Sequence, residues 1–113
     1  MNQDVKKRWV EALQSNSFRQ GKHILRGSDN RYCCLGVLCE LYRRENSATA
    51  DWALREHATH YGFMEGTMIN TTDLPKAVIA WAGLSGRQEG VLMNLNDRDV
   101  PFDAIANVID AFA

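Results

Sequence analysis

The chain has no apolar run long enough to cross a bilayer, no even set of cysteines, no leader pattern at its start and no excess of basic charge. Its most apolar stretch, Tyr32 to Tyr42, puts one charge, three thiols and a glycine into eleven residues, well short of the roughly 20 that a membrane-spanning helix needs. Such a segment belongs inside a soluble core. Three cysteines, two of them adjacent, make a poor disulfide framework, and the Met1 start lacks the charged, apolar and small-residue succession of a secretory leader. These absences point to a reducing compartment, with the cytoplasm as the expected location. A net charge of −1 is unlike the strong basic excess of proteins that bind nucleic acid in general. Repeats, linkers and low-complexity segments are also missing, so the 113 residues read as one domain, of a size that buries about two thirds of the unfolded surface.

What charge there is falls unevenly. Residues 4 to 32 hold seven Lys or Arg against three Asp or Glu, and the remainder holds six against eleven, so the basic end is available to an anion. Val5, Trp9, Val10, Ala12 and Leu13 recur at helical spacing and predict an amphipathic first helix. Gly21 and the Gly27-Ser28-Asp29-Asn30 cluster bracket His23 to Arg26, which predicts a small hairpin from about 22 to 33. From Cys33 or Cys34 to about Arg44 the pattern is helical and apolar nearly all round, which marks a central helix. Gly36 costs that helix about 1 kcal/mol relative to alanine, and the expected compensation is a close crossing by the first helix.

Asn46 to Asp51 reads as polar loop, and residues 52 to 72 as mostly loop with short strands. Leu74-Pro75 opens a helix carrying Val78, Trp81, Ala82 and Leu84. A short helical turn over Val91 to Leu95 precedes Asn96 to Asp99, and Pro101 opens a last helix with Phe102, Ile105, Ala106, Ile109 and Phe112 on its stripe. The expected fold is a small, helix-rich α+β domain, about four helices around a central buried helix, with one or two short β-hairpins.

Four chemistries compete for the polar residues. Zinc would need Cys34 and Cys39 with His57 and His60, but residues five apart on a helix point about 140 degrees away from each other, and structural zinc draws its ligands from tight turns; no metal is expected. A cysteine nucleophile at the start of the central helix, with His23 across the hairpin, has no local motif for a base or an oxyanion hole. Asn94 to Asp103 looks acidic enough for calcium but lacks the glycine and the bidentate glutamate of such a loop, so Asp97 and Asp99 are expected to form a turn and to cap the last helix. The remaining lead is the basic segment. Arg19, Lys22, His23, Arg26, Arg31 and Tyr32, with Phe18 nearby, offer guanidinium forks, an ammonium, an imidazole and rings suited to a phosphate plus a base; the alternative is a solvated charged face. Arg26 and Arg31, flanking the turn, are expected to point at one anion.

The pieces Trp9-Val10-Glu11-Ala12-Leu13, Gln20-Gly21, Leu25-Arg26, Tyr32-Cys33-Cys34-Leu35-Gly36-Val37-Leu38-Cys39-Glu40-Leu41, Leu74-Pro75, Trp81-Ala82-Gly83-Leu84, Leu95-Asn96-Asp97 and Phe102 to Ile109 together resemble a family of small uncharacterised bacteriophage and prophage proteins. The resemblance spans nearly the whole chain apart from residues 46 to 72. It implies a phage context and the host cytoplasm, and it carries no activity, catalytic residue or cofactor. Small phage accessory proteins of this kind imply binding without turnover, either of a small anionic nucleotide, as a counter-defence device, or of a host protein. The basic hairpin favours the nucleotide, and a homo-oligomer is expected to enclose it. An irregular loop exposing Trp52, Tyr61, Phe63 and Met64 would favour the protein partner.

The thiols, read as core residues, generate one prediction. Cys39→Ser places a hydroxyl in an apolar site and is expected to lower stability by about 1 to 3 kcal/mol in urea unfolding. Stoichiometric metal in the purified protein, lost in that variant, would overturn the reading.

Overall fold

Nine consecutive residues from Cys34 to Tyr42 are buried, and the chain is arranged to cover them. The structure, a computed structural model, describes residues 1–113. In order it contains α1 (Gln3–Gln14), β1 (Arg19–Gln20), β2 (Arg31–Tyr32), α2 (Cys34–Glu45), β3 (Ala50–Ala53), β4 (Gly62–Glu65), β5 (Met68–Asn70), α3 (Lys76–Ala82), α4 (Gly86–Asp97) and α5 (Phe102–Asp110). The strands form a two-stranded sheet, β1-β2, and a three-stranded sheet, β3-β4-β5. This is a small α+β domain with α2 at its centre.

The first and last helices pair with each other, and α1 packs on α2. Asn2 caps α1 by accepting from Val5 N, and the stripe Val5, Trp9 and Leu13 is buried. The Trp9 indole is wholly enclosed, and its Nε1 donates to the Cys34 carbonyl at 3.0 Å, which satisfies the only polar atom of a large apolar ring. Lys6 Nζ donates to the carbonyls of Asp110 and Phe112, a cation at the negative end of α5. Along α5 the expected residues Phe102, Ile105, Ala106 and Ile109 are buried.

Gly36 does receive a close neighbour, but not the first helix. A Cβ built there collides with the backbone carbonyl of Leu25, so the segment before β2 lies directly on α2. That segment forms only the closing end of the expected hairpin, from residue 25 to 33. His23 sits at φ 74, which breaks an extended run, and Leu25 N donates to Thr71 O instead of to a hairpin partner. Beyond it, Gly27 N donates to Arg31 O and Cys33 N to Leu25 O around the antiparallel bridge of Arg26 to Tyr32, while β2 pairs in parallel with β1 through Arg19–Arg31 and Gln20–Tyr32.

Residues 86 to 97 form a full helix where a short turn was expected. Ser85 and Gln88 make a reciprocal capping box, which fixes the start, while buried side chains on this helix are limited to Leu92 and Asn96, too sparse a stripe to reveal its length. Asp97 and Asp99 do not cap α5. Asp97 accepts from His23 N and Asp99 from Lys22 Nζ, and the start of α5 is served by Gln20 Oε1, which accepts from Phe102 N at 2.9 Å. Residues 50 to 70 are more regular than expected: β4 pairs antiparallel with β3 and with β5, and Gly66, at φ 58, opens the two-residue loop between Glu65 and Met68, where a left-handed glycine suits the strand twist.

Two glycine substitutions separate packing from propensity. Gly36→Ala should destabilise by about 1 to 3 kcal/mol in spite of alanine's better helix propensity, because the Leu25 backbone must move. Gly90→Ala in α4 meets nothing within 4 Å and should stabilise by up to about 1 kcal/mol. Urea unfolding of the two variants checks both signs.

Candidate anion-binding cleft

Four guanidiniums and four rings come together where β2, the end of α2 and the three-stranded sheet meet. Edge-to-face pairs run from Phe18 to Tyr32 (5.1 Å between centroids), Tyr32 to Trp52 (5.9 Å) and Trp52 to Tyr61 (6.3 Å). The Arg26 guanidinium lies over Tyr61 at 3.9 Å, and also within 5.2 Å of Tyr32 and 5.4 Å of Trp52. Its Nε and Nη2 both donate to Asn30 Oδ1, and it meets no carboxylate. Arg44 lies over Phe18 at 5.7 Å. With Arg19 and Arg43 these groups line a cleft of about 590 Å³.

Glu40 organises the floor. It is 7% exposed and takes a fork from Arg43, whose Nε and Nη2 donate to its two oxygens at 2.8 Å each. Arg44 Nε donates at 3.0 Å and Trp52 Nε1 at 3.0 Å. Burial alone would raise the carboxyl pKa, but the bonds from Arg43, Trp52 and Arg44 outweigh it and hold the group at about 2. The arrangement follows from sequence spacing: Arg43 and Arg44 stand three and four residues after Glu40, on its own helix face. At Tyr32, burial pushes the phenol up against the opposing pull of Arg26.

The structure divides the six residues singled out from the sequence. Arg19, Arg26 and Tyr32 line this cleft. Lys22 and Arg31 line a second, polar cleft of about 560 Å³, where Lys22 pairs with Asp99 at 3.0 Å and Arg31 with Asp29 at 3.4 Å. Arg26 and Arg31 therefore do not converge on one anion. His23 lines neither; its backbone N donates to Asp97 and its ring stands 3.5 Å from the same carboxylate. The residues that sequence reasoning missed as site residues are Glu40, Arg43, Arg44, Trp52 and Tyr61. A lone acid in an apolar run, followed by two arginines at helical spacing, was the available signal for the first three.

The family model described as a domain of unknown function, DUF8296, matches residues 1–113. The chain belongs to that family. No curated protein and no solved structure matches it. No helix of the DUF8296 domain is long and apolar enough to cross a membrane.

Other chemistry-bearing groups of the DUF8296 domain lie apart from the cleft. Cys33, Cys34 and Cys39 are buried and free, and burial raises all three thiols, Cys33 to about 11. No three His, Cys, Asp or Glu side chains come together as a metal site. Trp52, Tyr61, Phe63 and Met64, whose exposure in an irregular loop would have favoured a protein partner, are buried or half-buried: Phe63 is wholly enclosed, and Trp52 packs on it at 4.8 Å.

Glu40 generates a pH prediction. Its folded pKa of about 2 lies below the usual 4.5, so its stabilising contribution is complete above about pH 4.5 and is lost as pH falls toward 2. Glu40→Gln should cost about 2 to 3 kcal/mol at pH 7, and the gap to wild type should narrow between pH 4.5 and 2 in urea unfolding. A gap that stays constant over that range would assign the loss to packing instead of charge.

Proposed function

We propose that the DUF8296 domain is a non-enzymatic binding protein that takes a small anionic nucleotide into the arginine and aromatic cleft. The observation that carries this reading is Arg26, a cation packed against three rings and met by no carboxylate. Such a guanidinium is already ordered and partly stripped of water, so a phosphate gains its unspent donors without the cost of arranging them. The volume of about 590 Å³ falls in the range of small-molecule sites. Binding without turnover is supported by Glu40, whose oxygens are committed to four donors, and by thiols held protonated. The setting proposed with it is that of a phage protein in host cytoplasm, sequestering a nucleotide signal of host defence. A homo-oligomer would close the cleft further.

A second reading, docking on a host protein, is supported by Met68 and Ile69, exposed by 65% and 53% on the edge strand β5, and by Leu54, exposed by 44% just after β3 at the other edge of the sheet.

Calorimetry with a panel of cyclic and ADP-ribose-type nucleotides decides between them. Wild type should bind a member of the panel and return it chemically unchanged after denaturation. The double variant Arg19→Ala/Arg26→Ala should bind at least about a hundredfold more weakly, since a charge-assisted bond is worth about 1.5 to 3 kcal/mol, while Lys22→Ala/Arg31→Ala should differ little from wild type. Absence of binding across the panel ends the nucleotide reading, and a new product would make the protein an enzyme.

A further inference from the structure

The charges in the cleft do not balance, and the imbalance has a definite size. Arg19, Arg26, Arg43 and Arg44 face two carboxylates, Glu40 and Asp51, an excess of two positive charges. Arg43 is satisfied by its fork on Glu40. Arg44 spends only Nε on the same carboxylate, Arg26 is bonded to a neutral amide, and Arg19 is in no ion pair. Three guanidiniums thus retain unspent donors.

The rings are less available than their number suggests. A face of Tyr61 is covered by Arg26 at 3.9 Å, and Arg44 stands over Phe18. Trp52 is held edge-to-face against Tyr32, Tyr61 and Phe63. These rings serve to orient guanidiniums, through the attraction of a cation for a ring face, and they leave little face for a nucleobase to stack on.

Resting on the nucleotide reading of this cleft, we infer that its ligand carries a diphosphate, with two adjacent negative charges, and that the phosphates rather than the base set the affinity. A single phosphodiester offsets half of the excess and reaches fewer of the unspent donors on the three guanidiniums. A diphosphate offsets all of it, and its oxygens can be shared among Arg19, Arg26 and Arg44 as charge-assisted pairs.

The test is calorimetry of the full chain with ADP-ribose, inorganic pyrophosphate and cyclic AMP, at two salt concentrations. Pyrophosphate should bind within about tenfold of ADP-ribose, and cyclic AMP at least about tenfold more weakly than either, the value of one charge-assisted bond. Arg19→Ala should weaken ADP-ribose and pyrophosphate by the same factor, and Arg87→Ala, outside the cleft on α4, should weaken neither. Binding of ADP-ribose without pyrophosphate, or equal binding of cyclic AMP, overturns the diphosphate inference while the nucleotide reading stands. Equal losses in Arg19→Ala and Arg87→Ala overturn it as well, as diffuse attraction to a charged surface. Binding of pyrophosphate with no nucleotide leaves the diphosphate site and removes the nucleotide, and silence from all three probes removes both.

Discussion

The side-chain amide of Asn96 holds the fold in register. It is 1% exposed, and its Oδ1 accepts from Cys34 N at 3.0 Å while its Nδ2 donates to Gly21 O at 2.7 Å. The first of these bonds supplies from α4 the cap that Cys33 does not give α2. Gln20, beside it, donates to Asn96 Oδ1 and to Val100 O and accepts from Phe102 N. Two amides thus serve the starts of two helices and tie β1 to α4. Each buried donor or acceptor left without its partner costs about 1 to 3 kcal/mol, so the fold has little freedom to shift β1 or α2 against α4. Arg19 stands on β1, and Glu40, Arg43 and Arg44 stand on α2. The cleft inherits its geometry from this junction.

A second constraint fixes the opposite edge of the same helix. The Leu25 carbonyl rests where Gly36 has no side chain, which brings Arg26, the next residue, within reach of the rings of Tyr32, Trp52 and Tyr61. A helix with any other residue at that position would push the segment outward. The glycine that weakens α2 locally is therefore what allows the cation to lie against the sheet.

The central helix, α1 and α5 were legible in the sequence because their burial is written in apolar spacing, and Trp9, Leu38 and Ile105 are all wholly enclosed. Asn96 was not, since a buried polar residue and a turn-forming one look alike until the donors around it are known. The extent of α4 was hidden for the related reason that its inward face is short of large apolar groups. In the cleft, the basic segment contributed Arg19, Arg26 and Tyr32, but Arg31 next to Tyr32 had to point the other way, as neighbours on a strand do. Arg43, Trp52 and Tyr61 enter from other elements, and only the packing of the three-stranded sheet on α2 brings them to Arg26.

Of the three tryptophans, one is sealed in the core and donates to Cys34 O, and Trp81 donates to Glu45 at 3.1 Å. Trp52 alone is part of the cleft wall, with its Nε1 on Glu40 and Arg26 beside its ring. Indole emission responds to the electric field across the ring, and here a carboxylate and a guanidinium set that field from opposite partners. A charge entering the cleft changes that field at Trp52, while Trp9 and Trp81 emit from outside the cleft as a constant background.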